Sequence, residues 1–157
     1  MRSWRRLPKI SPTDLIVGLL FEKGASGKPN EPIDRIRLMK ALFLLSQEES
    51  RLQGTFKFEP YLYGAVSFAV YDYLRSLEGK GIVTTTKEYE NERWNRYYLT
   101  SVGIKVAQSL KLPQEVVAKI ARVKQYVTSK ETYQLLREIY AKYPDFATKS
   151  VIRVSNA

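Results

Sequence analysis

Ser67, Tyr71 and Arg75 follow one another at four-residue steps, the spacing that stacks side chains on one face of a helix. A hydroxyl, a phenol and a guanidinium so arranged can contact a phosphate, a sugar and the edge of a guanine. Ser67, at the start of such a helix, could bond a phosphate together with nearby backbone N–H groups, or simply cap the helix. Arg75 has Asp72 and Glu78 within one turn. The alternative is therefore a solvated face with Arg75 paired to one of them.

Other cations gather in four places. Arg2, Arg5, Arg6 and Lys9 precede the first helix with no acid among them, and Trp4 lies between them. Arg35, Arg37 and Lys40 fall on the second helix. Lys87, Arg93 and Arg96 surround a polar tip that also carries Trp94, and Glu88, Glu90 and Glu92 offset their charge. Lys119, Arg122, Lys124 and Lys130 form a last cluster near Glu115 and Glu131. Each group can track a phosphate backbone or the minor groove. Each can equally be a solvated tail, a balanced hairpin or a solvated helix face.

These residue types bind; they do not catalyse. The chain has no Cys and no His, which removes thiol nucleophiles, imidazole acid–base chemistry and Cys/His zinc sites. Asp14, Asp34, Glu59 and Asp72 show no helical pairing of the kind a metal or carboxylate dyad needs. The stretch "GASGK" from Gly24 to Lys28 has the wrong spacing for a phosphate loop, and Pro29 follows it. No enzyme, cofactor or metal is expected.

Lys and Arg total 26 against 16 Asp and Glu, a net charge of +10. That balance favours an acidic partner. Apolar residues at 44% and charged residues at 27% belong to a globular chain. Its 157 residues suit one domain with an extension. The twin Arg5–Arg6 before the apolar run Leu15 to Phe21 has the look of an export signal. However, Pro12 and Asp14 precede the run and Glu22 and Lys23 follow it, and no stretch reaches membrane-span length. The expectation is a soluble, cytoplasmic protein.

The elements that must position these groups follow from periodicity. Ser11, Pro12 and Asp14 start a helix that runs to about Lys23 and ends at Gly24. A loop leads to a second helix over about Ile33 to Ser50. Ile33, Ile36, Met39 or Lys40, and Phe43 form its stripe, while Asp34, Arg37, Lys40 and Gln47 mark the opposite side. Gly54 to Gly64 reads as a short extended segment and a turn. The third helix carries Val66, Val70, Tyr73, Leu74 and Leu77 on its apolar face and ends at "EGKG". Ile82 to Lys87 and Tyr97 to Thr100 are strands around a polar tip, and Thr100 caps a helix from Ser101 to about Leu110. After Leu112-Pro113, helices are expected over about Gln114 to Val127 and Lys130 to Lys142.

Helix, helix, short strand, helix, strand, polar tip and strand is the order of a winged helix. The expected fold is α+β and mostly helical: a winged helix-turn-helix core with a two- to three-stranded antiparallel sheet. It divides into a basic arm (residues 1–10), the core (11–111) and a C-terminal helical extension (112–157) that packs on the core or dimerises.

"RLMKALFLLSQ" followed by "FEPYLYGAVSFAVYDYLRSLEGKGIV" resembles the YwgA-like and Panacea-type winged-helix proteins of prokaryotes. Phe58, Pro60, Tyr61, Tyr63, Gly64, Ser67, Leu77, Gly81 and Ile82 carry the likeness, with Ala65 where that family usually has Pro. "YYLTSVGIKVA" resembles the hairpin-to-helix passage of winged-helix regulators, and "YPDFATKS" the C-terminal segment of YwgA-like proteins. The resemblance implies a transcriptional regulator or an antitoxin-like module and no enzyme. The first expectation is thus a winged-helix protein that binds double-stranded DNA with modest specificity, with a homodimer or protein partner open. The second is a protein-interaction module on the same scaffold. Because the third helix holds one basic residue against two acids, the arm, the second helix and the wing must supply most of the charge.

Overall fold

The computed structural model describes residues 9–91 and 94–151. It is α+β, with six α-helices, a three-stranded antiparallel sheet and a two-stranded hairpin among the described residues. Helix α1 (Pro12–Phe21) starts as its sequence dictates: the Ser11 side chain accepts from the Asp14 N–H, and Pro12 occupies the first turn. The loop after it turns at Asn30, whose φ is +57°. The Asn30 amide then exchanges two hydrogen bonds with the Leu99 backbone, at 3.0 and 2.8 Å, as a strand residue would. That steers the chain into β1 (Ile33–Asp34) beside β5 (Arg96–Leu99).

Ile33 and Asp34 are therefore strand, not the first turn of the second helix. Ile33 continues the apolar stripe, but it pairs with Tyr97 in the sheet. Asp34 then caps α2 (Arg35–Glu48), accepting from the Arg37 N–H at 2.9 Å. Helix α2 is buried from Leu38 through Ser46 and forms the axis of the molecule. Phe43, fully buried, meets Phe58, Tyr143 and Phe146 edge-on at centroid distances of 5.3, 5.0 and 4.7 Å. Such burial stabilises by roughly 1.5–3 kcal/mol for the side chain.

The connection from α2 to α3 (Phe68–Gly79) is long and structured, spanning residues 49–67. After a 3₁₀ turn at Ser50–Leu52 it forms a hairpin from β2 (Glu59–Tyr61) and β3 (Gly64–Val66), with Tyr61 opposite Gly64. The expected segment with one turn is thus two paired strands, and Val66 belongs to β3 rather than to the third helix. Gly64 is required twice. Its φ is +89°, and a Cβ there would sit 2.7 Å from the Tyr140 ring. Helix α6 (Thr132–Lys142), which carries Tyr140, and the segment after it hold the hairpin in place; the Val151 N–H donates to the Leu62 carbonyl at 2.8 Å.

Strands β4 (Val83–Thr85) and β5 pair antiparallel, and the sheet order is β1-β5-β4. Thr100 caps α4 (Ser101–Gln108) by accepting from the Gly103 N–H. Helix α5 (Gln114–Ser129) packs on α2 and α1, and one buried cluster joins residues of α1, α2, α3, the sheet, α5 and α6. Lys124 of α5 is fully buried and donates to the carbonyls of Leu20 and Glu22, at 2.8 and 2.7 Å. A cation there satisfies the orphan carbonyls at the end of α1. No helix among the described residues is long and apolar enough to cross a membrane.

Candidate functional site

Three of the ten residues proposed to contact DNA come together. Arg35, at the start of α2, lies with its guanidinium over the Tyr71 ring, 5.1 Å from the centroid. Both residues, with Arg75, line a cleft of about 480 Å³ between α3 and the β4–β5 hairpin. Leu74 and Tyr97 form its floor, and Lys87 and Tyr89 come from the far side. Tyr71 and Arg75 thus lie on one face of α3 beside the β4–β5 hairpin, and Ser67, the third residue of the expected face, does not line the cleft.

Its charge is partly offset. Glu78 and Glu90 line the same cleft. Arg75 is ion-paired to Asp72, with both side chains about 70% exposed, so the pair is solvated and weak. Asn95, buried at the base of the hairpin loop, accepts from the Tyr89 N–H at 2.9 Å and fixes the loop beside the cleft.

Other expected contacts are committed elsewhere. Lys40 is 2% exposed and donates to the Ala65 carbonyl at 2.8 Å, tying α2 to the β2–β3 hairpin. Burial lowers its amine to about 7. It belongs to the apolar stripe, out of reach of a duplex backbone. Ser67 stands at the N-cap of α3 but is buried and makes no side-chain capping bond. Its N–H donates to the Met39 sulfur, so neither the capping nor the phosphate reading holds. Arg37 gives its donors to Asp34 and to the carbonyls of Val127 and Lys130, which fastens α2 to the end of α5. Arg96 pairs with Glu88 and lies in a separate depression with Asp34, Arg37 and Trp94. Alternation along β5 puts Tyr97, not Arg96, on the α3 side. Arg5, Arg6 and Arg93 lie outside the described residues.

The cluster on α5 also resolves into structure. Lys124 is internal, and burial lowers its amine to about 8 against the opposing pull of Glu31 and Glu22. Lys119 donates to the Glu48 carbonyl at 2.9 Å. Lys130 sits 3.7 Å from Glu138.

Two features escaped the sequence. An uncovered apolar surface is made by Tyr61, Leu62 and Phe68, each 42–45% exposed, with Tyr61 and Phe68 edge-to-face at 5.1 Å. Phe68, off the apolar stripe of α3, was its available signal. A second cavity, of about 260 Å³, lies behind that surface and shares Arg35 and Tyr71 with the first. Among the described residues no cluster of Asp or Glu could hold a metal ion. No protein-family model matches this chain, and no curated protein matches it either.

Proposed function

We propose that this is a winged-helix protein that binds duplex DNA mainly through the phosphate backbone, with low sequence specificity, as a transcriptional regulator would. In this reading α1, α2 and α3 are the three core helices, β1-β5-β4 is the small sheet and residues 86–95 are the wing. The observation that carries the reading is the open cleft between the outer face of α3 and the wing, with Arg35, Arg75 and Lys87 around it. The net charge of +10 and the resemblance to YwgA-like proteins support it. Specificity is low because α3 offers one arginine, already held by Asp72, and so few direct contacts to base edges. The test is binding to a random duplex over a salt series. A log–log slope of about −3 to −5, or roughly three to five phosphates, is expected. Absence of binding at low salt and micromolar protein would reject the reading.

The second reading is a protein-interaction module on the same scaffold, antitoxin-like in kind. The exposed Tyr61, Leu62 and Phe68 beside α3 favour it, since aromatic anchors dominate interface energy. Phe68→Ala would then abolish a complex while leaving duplex binding unchanged.

A further inference from the structure

The second cavity differs from a surface groove in what lines it. Arg35 and Lys40 enter from α2, Met39 beside them, Tyr61 from the β2–β3 hairpin, and Phe68 and Tyr71 from α3. No carboxylate among the described residues lines it. Lys40 uses one of its three donors on the Ala65 carbonyl. The Arg35 Nε is buried without a hydrogen-bond partner. Native interiors seldom leave a buried donor unpaired.

We propose that this cavity binds a small organic carboxylate, its charge against Arg35 and Lys40 and its aromatic or short apolar body against Met39, Tyr61 and Phe68. The class follows from size and charge. At about 260 Å³ the space falls below the roughly 300–1,000 Å³ of sites for drug-sized ligands, so a nucleotide is too large. A phosphate dianion would lose its hydration to apolar walls. A monoanion with an apolar body uses both the walls and the cations. Arg presents a planar fork that suits carboxylate oxygens. Burial alone lowers the Lys40 amine, and an anion beside it would offset that cost of holding the charge. The site shares Arg35 and Tyr71 with the cleft proposed to face DNA, but its ligand response can be measured with no DNA present.

Methionine supplies the probe. The chain has two, Met1 and Met39, so protein labelled with ¹³C at the methionine methyls reports the cavity through Met39 and uses Met1 as an internal control. Titration with 3-phenylpropionate is expected to shift the Met39 methyl resonance saturably. The neutral 3-phenylpropanol and the cationic 3-phenylpropylamine should bind at least about tenfold more weakly, as loss of a charged hydrogen bond implies. Arg35→Gln, at a half-exposed position, should weaken the acid about tenfold while leaving the free-protein spectrum near native. Lys40→Leu should act likewise; should it unfold, Arg35→Gln alone decides. A Met39 resonance unmoved by the acid up to about 10 mM would overturn the proposal. Equal binding of acid, alcohol and amine, or undiminished binding of the acid by Arg35→Gln, would do the same.

Discussion

The cleft between α3 and the β4–β5 hairpin is lined by three basic and two acidic side chains, whereas the pocket behind the β2–β3 hairpin is lined by two basic side chains and, among the described residues, no acidic one. They share Arg35 and Tyr71 as a common wall. In the cleft the carboxylates offset most of the basic charge and the Arg75–Asp72 pair is solvated, so each charge is worth little and is screened by salt. That suits a transient track for a phosphate backbone. In the pocket Lys40 is buried and the Arg35 Nε has no hydrogen-bond partner, so a single well-placed anion gains more there. The difference teaches that burial, rather than the count of basic residues, decides what each site can hold.

The strongest way to break this comparison is to remove the hairpin that makes the pocket. Gly64→Val puts a branched side chain at a φ of +89° and against Tyr140. It should cost about 2–4 kcal/mol, from the left-handed backbone and the overlap together. Denaturant unfolding would read this.

Next comes the pH dependence that the buried amine imposes. Lys40 has a folded value of about 7 against an ordinary 10.5. Between those values the unfolded chain holds a proton that the folded chain has shed, so stability rises with pH. The slope for one such group approaches about 1.4 kcal/mol per unit. The gain is complete above 10.5 and is lost as pH falls to 7. Lys124 adds a rise of the same sign that starts near 8. Urea unfolding at pH 6.5, 7.5, 8.5 and 9.5 should show the rise, and Lys40→Leu should remove the part that begins near 7. A flat profile in the wild-type chain would mean that Lys40 is not buried as described.

Arg35→Gln sharpens the comparison because it touches both sites. It should lose about one phosphate from the salt slope of duplex binding as well as the carboxylate response. Asp72→Asn should touch only one. Freeing Arg75 should tighten duplex binding about two- to fivefold at low salt, with the Met39 response to phenylpropionate unaltered.

Much of this was legible in the residues. The period of four that joins Ser67, Tyr71 and Arg75 placed Tyr71 and Arg75 on one face of α3, and the Ser11 and Thr100 caps fixed two helix starts. Ile33 misled because one apolar residue fits a helical stripe and a two-residue strand equally well. The β2–β3 hairpin was hidden because strands of three residues are too short to show alternation. Lys40 lay on a helical stripe four residues after Ile36 and three before Phe43, and Lys124 four after Ile120. That spacing announces burial, but a lysine is ordinarily counted as surface charge. Only the carbonyls of Ala65, Leu20 and Glu22, supplied by distant segments, make those buried amines tenable. The pairing of Arg96 with Glu88 was equally hidden: its neighbours along the chain do not reveal that β5 alternation turns it away from α3.

The most direct test of the central claim is fluorescence-detected binding to a labelled random duplex from 50 to 300 mM salt, with light scattering on the same samples. The account predicts micromolar binding at the low end, a log–log slope of about −3 to −5 and little preference among sequences. No binding at 50 mM salt, with the protein folded and unaggregated, would contradict it and leave the exposed Tyr61, Leu62 and Phe68 as a protein-docking face.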